Sequence, residues 1–155
     1  YHLPELAATD QDISAVEACL GHRLDPRYRA FLLCANGWKA IYQTVDLFGT
    51  PDLVGGSRKQ CAEMNLGLLP QGVLRGSGTS RSQLLPIAVT QHDRDLFAIT
   101  RPQAAMPGVV IWFAGEEIDR FPTFDDFFLA MIEYNRVAVR RFRDGRSDAS
   151  AQSSP

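Results

Sequence analysis

The residues of this chain that could do chemistry are three histidines, three cysteines, two short glycine-rich runs and several close carboxylates. His2, His22 and His92 are scattered, with no pair at i, i+4 and no His-x-His. A zinc site needs tighter grouping of His, Cys or carboxylate ligands, so these read as ordinary surface histidines and no metal is expected. Cys19, Cys34 and Cys61 lack CxxC spacing and sit among apolar neighbours. An odd, sparse count reads as reduced thiols packed like small hydrophobes in a reducing, cytoplasmic compartment. Gly76-Ser77-Gly78-Thr79-Ser80 has the glycine content of a phosphate loop but no lysine behind it to reach a phosphate. Gly55-Gly56-Ser57 lacks the second half of a nucleophile elbow. Glu116-Glu117, Asp125-Asp126 and the Asp93/Asp95 pair remain. Acid–base catalysis needs two carboxyl groups converging in one cleft with separated pKa values. Neighbours on a strand point to opposite faces, and a pair of aspartates at a helix start is accounted for by the positive end of the helix. The expectation is a protein that binds, with no catalytic residue and no cofactor.

Charge shows where binding could be directed. The whole chain of 155 residues has a net charge of -2, against a nucleic-acid binder, which is usually basic. The distribution is uneven. Residues 1–90 are neutral, 91–134 carry eight acidic and three basic side chains, and 135–155 carry five arginines and two aspartates. The expected partner-binding set is Asp46, Asp93, Asp95, Glu116, Glu117 and Asp119, an acidic face for a basic protein surface. A cleft beside Trp38 and Asp46 is a second place where a small molecule could sit. No stretch approaches the about 20 apolar residues of a membrane span, and the first residues show no signal-peptide pattern.

These side chains must be held by a framework that the periodicity outlines. Thr9 caps a helix carrying Ile13, Val16 and Leu20, which Gly21 closes. Asp25-Pro26 starts a second helix, with Tyr28, Phe31, Leu32 and Ala35 on one face and Asn36-Gly37 at its end. Residues 41–48 read as one strand, and a helix over 57–65 is weakly signalled. Residues 70–83, rich in Gly and Ser, read as an exposed, mobile loop. Strands follow at Leu84–Val89, Asp95–Thr100, Val109–Phe113 and Glu117–Phe121, separated by hairpin turns. Thr123 caps a last helix bearing Phe127, Phe128, Met131, Ile132 and Val139. The fold class is α+β, an antiparallel sheet of about four to six strands with helices packed on one face. Residues 1–143 make one domain, and 144–155 have the composition of a disordered tail.

The segment Leu24–Trp38, LDPRYRAFLLCANGW, resembles the signature of the SUKH superfamily, which joins yeast cell-wall-synthesis regulators to bacterial immunity proteins. Leu24, Pro26, Tyr28, Phe31, Leu32, Asn36 and Gly37 match its Leu-Pro-x-x-Tyr-x-x-Phe-Leu run and Asn-Gly close, with Asp25 inserted. Looser matches follow in the same order to about residue 135. They include Val45–Phe48, Leu85–Ala88, Val109–Trp112 and Phe121–Leu129, whereas 54–83 does not align. The resemblance implies a SUKH-like fold and a cytoplasmic immunity protein, a monomer or weak dimer. Its partner would be a cognate toxin domain, such as one that targets nucleic acid. The alternative it implies is a non-catalytic regulatory scaffold of the same fold. The signature residues themselves are expected in the core, so they mark the fold rather than the site.

Overall fold

The computed structural model describes residues 2–151, with side chains described to Arg141. Helix α1 (Asp10–Leu20) begins at Thr9, whose hydroxyl accepts from the Asp12 backbone N–H while Asp12 accepts from the Thr9 N–H. It ends at Gly21 with φ 73°. Helix α2 (Pro26–Leu32) is capped by Asp25, whose carboxylate accepts from the N–H groups of Arg27 and Tyr28. Tyr28 and Leu32 are fully buried on its inner face.

The chain then turns sharply. Gly37 has φ 99°, and a Cβ placed there would lie 2.7 Å from the Gly49 nitrogen. Asn36 locks the same junction, donating to the Thr50 hydroxyl at 2.9 Å and accepting from the Thr50 N–H at 2.6 Å. Tyr28 donates its hydroxyl to the Phe48 carbonyl at 2.8 Å. The signature block therefore bolts α2 to the chain about a dozen residues further on, at a point where only glycine lets two backbones meet.

Residues 41–48 are not one strand. They contribute to a hairpin of β1 (Trp38–Tyr42) and β2 (Val45–Leu47), turned at Gln43 with φ 49°. Helix α3 (Thr50–Val54) and helix α4 (Gly56–Leu68) follow, the latter longer than its weak sequence signal. The expected mobile loop at 70–83 is also structured. It forms helix α5 (Gln71–Gly76), with Leu74 1% exposed, and a single 3-10 turn at Arg81–Gln83. Arg81 ties this segment back to α4 through carbonyls of Leu66 and Leu69. Leu74 and these capping bonds outweigh the glycine content.

Strands β3 (Leu84–Thr90), β4 (Leu96–Thr100), β5 (Val110–Phe113) and β6 (Glu117–Phe121) complete an antiparallel sheet in the order β1-β2-β3-β4-β5-β6. Helix α6 (Phe124–Ala151) closes the chain, capped by the Thr123 hydroxyl on the Asp126 N–H. It continues past Asp144, where the composition reads as a tail. The last four residues of that tail lie outside the described residues.

The α+β antiparallel class holds, but helices cover both faces of the central strands. All five residues of β4 are buried, which an alternating strand achieves only when both sides are packed. On one side Phe97 meets Phe127 of α6 at 5.3 Å between ring centroids. On the other, Asp46 of β2 pairs with Arg58 of α4, and Arg120 of β6 donates to the Ser77 carbonyl just after α5. Phe124 and Phe128 of α6 join Tyr28, Phe31 and Trp38 in one aromatic cluster that ties the N-terminal helices to the sheet.

Candidate protein-binding site

The three hairpin turns of the sheet, at Gln43-Thr44, Gln91–Arg94 and Ala114–Glu116, all fall at one end of it. This antiparallel meander gathers five of the six expected binding carboxylates from separate turns and strand ends. The six do different work. Asp93, Glu116 and Asp119 are exposed, and no ion pair among the described residues engages them. Asp95 is half-buried and accepts from the Trp112 indole at 2.7 Å. Glu117 pairs with Arg120, whose guanidinium holds its carboxyl below the usual range. Asp46 faces the opposite side of the sheet, where it accepts from the Ala40 N–H at 2.9 Å and pairs with Arg58 at 3.0 Å. Arg58 also binds Asp52. Asp46 is thus a brace between β1, β2 and α4, and its side chain is only 13% exposed.

Alternation along each strand sets which side chains share a face. Asp46 is level with Val89, and Val89 with Leu96, on the α4 side. The α6 side of the same sheet end therefore carries Tyr42, Val45, Thr90, Asp95, Trp112 and Asp119. Tyr134 of α6 sits above them, 5.6 Å from Tyr42 between ring centroids. Burial first, then the charge of the neighbouring Asp119 carboxylate and a hydrogen bond to it, raises the Tyr134 hydroxyl above its ordinary pKa, so it stays protonated. Trp112 stacks on Phe97 at 5.1 Å. An open cleft of about 620 Å³ lies between Tyr42, Gln43 and Tyr134, walled by Val137, Ala138 and Arg141.

The sequence reading missed these aromatic residues as site members. Trp112 and Tyr42 have the spacing of core strand residues, and Tyr134 lies off the apolar stripe of α6. The one signal was that Tyr134 and Tyr42 bring polar tips to positions next to turns or charges. The cleft expected beside Trp38 and Asp46 takes a different form. Trp38 donates to the His2 carbonyl at 2.9 Å, and Trp38 lines a shallow depression with Glu5, Asn36, Asp52 and Arg58, while Asp46 does not face it. The cysteines also differ from expectation: Cys19 and Cys34 are exposed rather than packed as hydrophobes, and Cys61 is intermediate.

Among the described residues no group of His, Cys, Asp and Glu is arranged to hold a metal ion. No helix among them is long and apolar enough to cross a membrane. No curated relative matches the chain. The family model described as SMI1 / KNR4 family (SUKH-1) matches residues 7–130, a span from just before the α1 cap to the end of the second turn of α6. It takes in the Leu24–Trp38 signature and every strand of the sheet. The chain therefore belongs to the SMI1 / KNR4 family (SUKH-1).

Proposed function

We propose that this protein is a cytoplasmic bacterial immunity protein that binds a cognate secreted toxin domain and blocks it, without catalysis. The observation that carries the reading is the turn end of the sheet. There Asp93, Glu116 and Asp119 stand exposed, with no ion pair among the described residues, at the end of the sheet where Tyr42 meets Tyr134. Family membership supports a protein partner, and the sign of the patch supports a basic one. A toxin acting on nucleic acid has such a surface, because its own cleft must attract phosphates. Carboxylates that face a nuclease-like cleft compete for the same basic groups.

The test is co-expression with the toxin domain encoded beside this gene. Protection of the host and a stable one-to-one complex on gel filtration are expected. Loss of viability despite expression of this protein, with no complex formed, overturns the reading.

A further inference from the structure

Helix α4 crosses the turn end of the sheet on the face away from α6 and meets the strands in order. Arg58 pairs with Asp46 of β2, and the Cys61 thiol donates to the Thr90 carbonyl at the end of β3 at 3.7 Å. Asn65, Leu68 and Leu69 then reach Arg94 and Gly115, in the β3–β4 and β5–β6 turns. The chain neighbours of those two turn residues are Asp93 and Glu116, so α4 ends beside two exposed acidic tips. Its outer face there is apolar. Met64 is 61% and Leu68 63% exposed, and i, i+4 spacing makes them neighbours on the helix.

Single exposed apolar side chains are ordinary, but the polar residue next to these two is not. Asn65 is 8% exposed, and its amide nitrogen has no hydrogen-bond partner among the described residues. A buried amide without a partner has given up water for nothing, so native structures hold few of them. Asn65 lines a notch of about 20 Å³ with Leu68, Leu69, Arg94 and Gly115. That is room for one water-sized atom. The polar side chains on the notch are the Asn65 amide and the Arg94 guanidinium, both donors, with no carboxylate among its described lining residues. The atom that fits is therefore an acceptor oxygen, and Arg94 keeps a cation out. Around the notch the sign reverses, because Asp93 and Glu116 attract cations. A second copy of this chain would set these acidic tips against its own. A main-chain carbonyl flanked by basic side chains satisfies both the notch and its rim.

We propose that the α4 side of the turn end holds a basic loop of the protein partner. An apolar side chain of that loop rests on Met64 and Leu68, a main-chain carbonyl oxygen enters the notch over Asn65, and flanking Lys or Arg side chains face Asp93 and Glu116. This rests on the reading that the turn end of the sheet binds a basic protein, and it adds the face and the groups that hold the partner.

Dissociation of the complex with the neighbouring toxin domain tests it. Met64→Ser with Leu68→Ser should speed dissociation about tenfold or more. Leu129→Ser removes a leucine of α6 that is equally exposed, at 64%, and should leave the rate as in the wild type. Asn65→Leu removes the donor at similar volume. It should speed dissociation about fivefold or more, with an unfolding midpoint in urea no lower than that of the wild type. Unchanged dissociation in the Met64/Leu68 variant, or an equal loss in Leu129→Ser, overturns the α4 face and leaves the immunity reading standing. A lower midpoint with unchanged dissociation in Asn65→Leu assigns Asn65 to the fold and overturns the notch. Dimerisation of the chain alone that Leu68→Ser abolishes gives the face to a second copy and overturns the proposal.

A wild-type chain that forms no complex with that toxin overturns the immunity reading instead. The face is then tested by NMR titration of the full chain with the capped tripeptide Lys-Leu-Lys. Shifts of the Asn65 side-chain amide and of the Met64 and Leu68 methyl groups, lost in Asn65→Leu, support it. Shifts elsewhere, or none, overturn it.

Discussion

Single residues decide how the N-terminal helices meet the sheet. Gly37 and Gly49 touch backbone to backbone, since a Cβ on Gly49 would lie 2.1 Å from the Asn36 carbonyl oxygen. Gly37 adds a positive φ, which a side chain adopts only with strain. Gly21 has a positive φ too, yet nothing lies within 4 Å of its would-be Cβ. The two positions therefore separate strain from clash. Gly21→Ala should cost about 1 kcal/mol, the strain alone. Gly37→Ala should cost about 3 kcal/mol or more, because the Asn36–Thr50 clasp must also shift. Urea unfolding of the two variants measures the difference, and equal losses would show that the close approach is not tight. Tyr28 belongs to the same junction. It is wholly buried, and desolvation pushes its hydroxyl well above the ordinary tyrosine pKa, so it stays a donor to Phe48 at any working pH.

At the scale of elements, strand β6 is an exposed edge that is charged along most of its length. Charge on an edge strand discourages pairing with another sheet. Its Glu117 also secures the segment after α5, because Arg120 grips Glu117 and donates to the Ser77 carbonyl. The Glu117 carboxyl titrates below its ordinary 4.5, chiefly through the hydrogen bond from Arg120. A carboxyl with a lowered folded pKa binds its proton more weakly when folded. The stability it contributes is therefore complete above the unfolded value and is lost as pH falls through the folded one. The pair lies at the surface and is partly screened by solvent, its side chains 36% and 27% exposed, so this contribution should stay under about 1 kcal/mol. Chemical unfolding of wild type and Glu117→Gln should differ near neutral pH and converge in acid below the carboxylate range. A difference that persists unchanged in acid would show that the pair is not its source. Helix α6 works differently. Phe124, Phe127 and Met131 are buried under α6, and Asn135 then donates to the Ile41 carbonyl at the β1 edge. Packing to that point is what sets Tyr134 over the turn end.

For the whole molecule, charge and shape have separate consequences for binding. Of the eight acidic residues in 91–134, the meander brings Asp93, Asp95, Glu116, Glu117 and Asp119 toward one end of the sheet, while Asp125 and Asp126 start α6 at the other. Exposed rim charges act mainly on the rate of encounter, and desolvated contacts act on dissociation. Asp93→Asn combined with Glu116→Gln should slow association with the toxin domain several-fold at low salt, with little change in dissociation. The deficit should shrink as salt is raised, because exposed charges are screened within about 10 Å at 0.1 M. Stopped-flow or biosensor kinetics at two ionic strengths tests this. A loss seen only in the dissociation rate would place both carboxylates inside the contact.

The sequence alone determined the local features of this protein: the caps at Thr9, Asp25 and Thr123, the strands from Leu84 to Phe121, the Asn36-Gly37 turn and the family signature. Each is a short-range preference of backbone or side chain, visible within a few residues. Periodicity also found the core of α6, because Phe127 and Met131 bury one stripe. Composition failed at 70–83, where one buried leucine and distant carbonyls stabilise a helix that glycine disfavours. It failed for Asp46 as well, since a carboxylate's partner, here Arg58, is set by tertiary packing. The acidic residues were legible as a list; their division into exposed rim, indole-bound Asp95 and arginine-bound Glu117 was not. Nor was the meeting of Tyr42 with Tyr134, drawn from a strand and a helix far apart in the chain. Only the antiparallel register and the path of α6 across the sheet put those rings beside Asp119, because strand alternation assigns faces only once the partner strands are known.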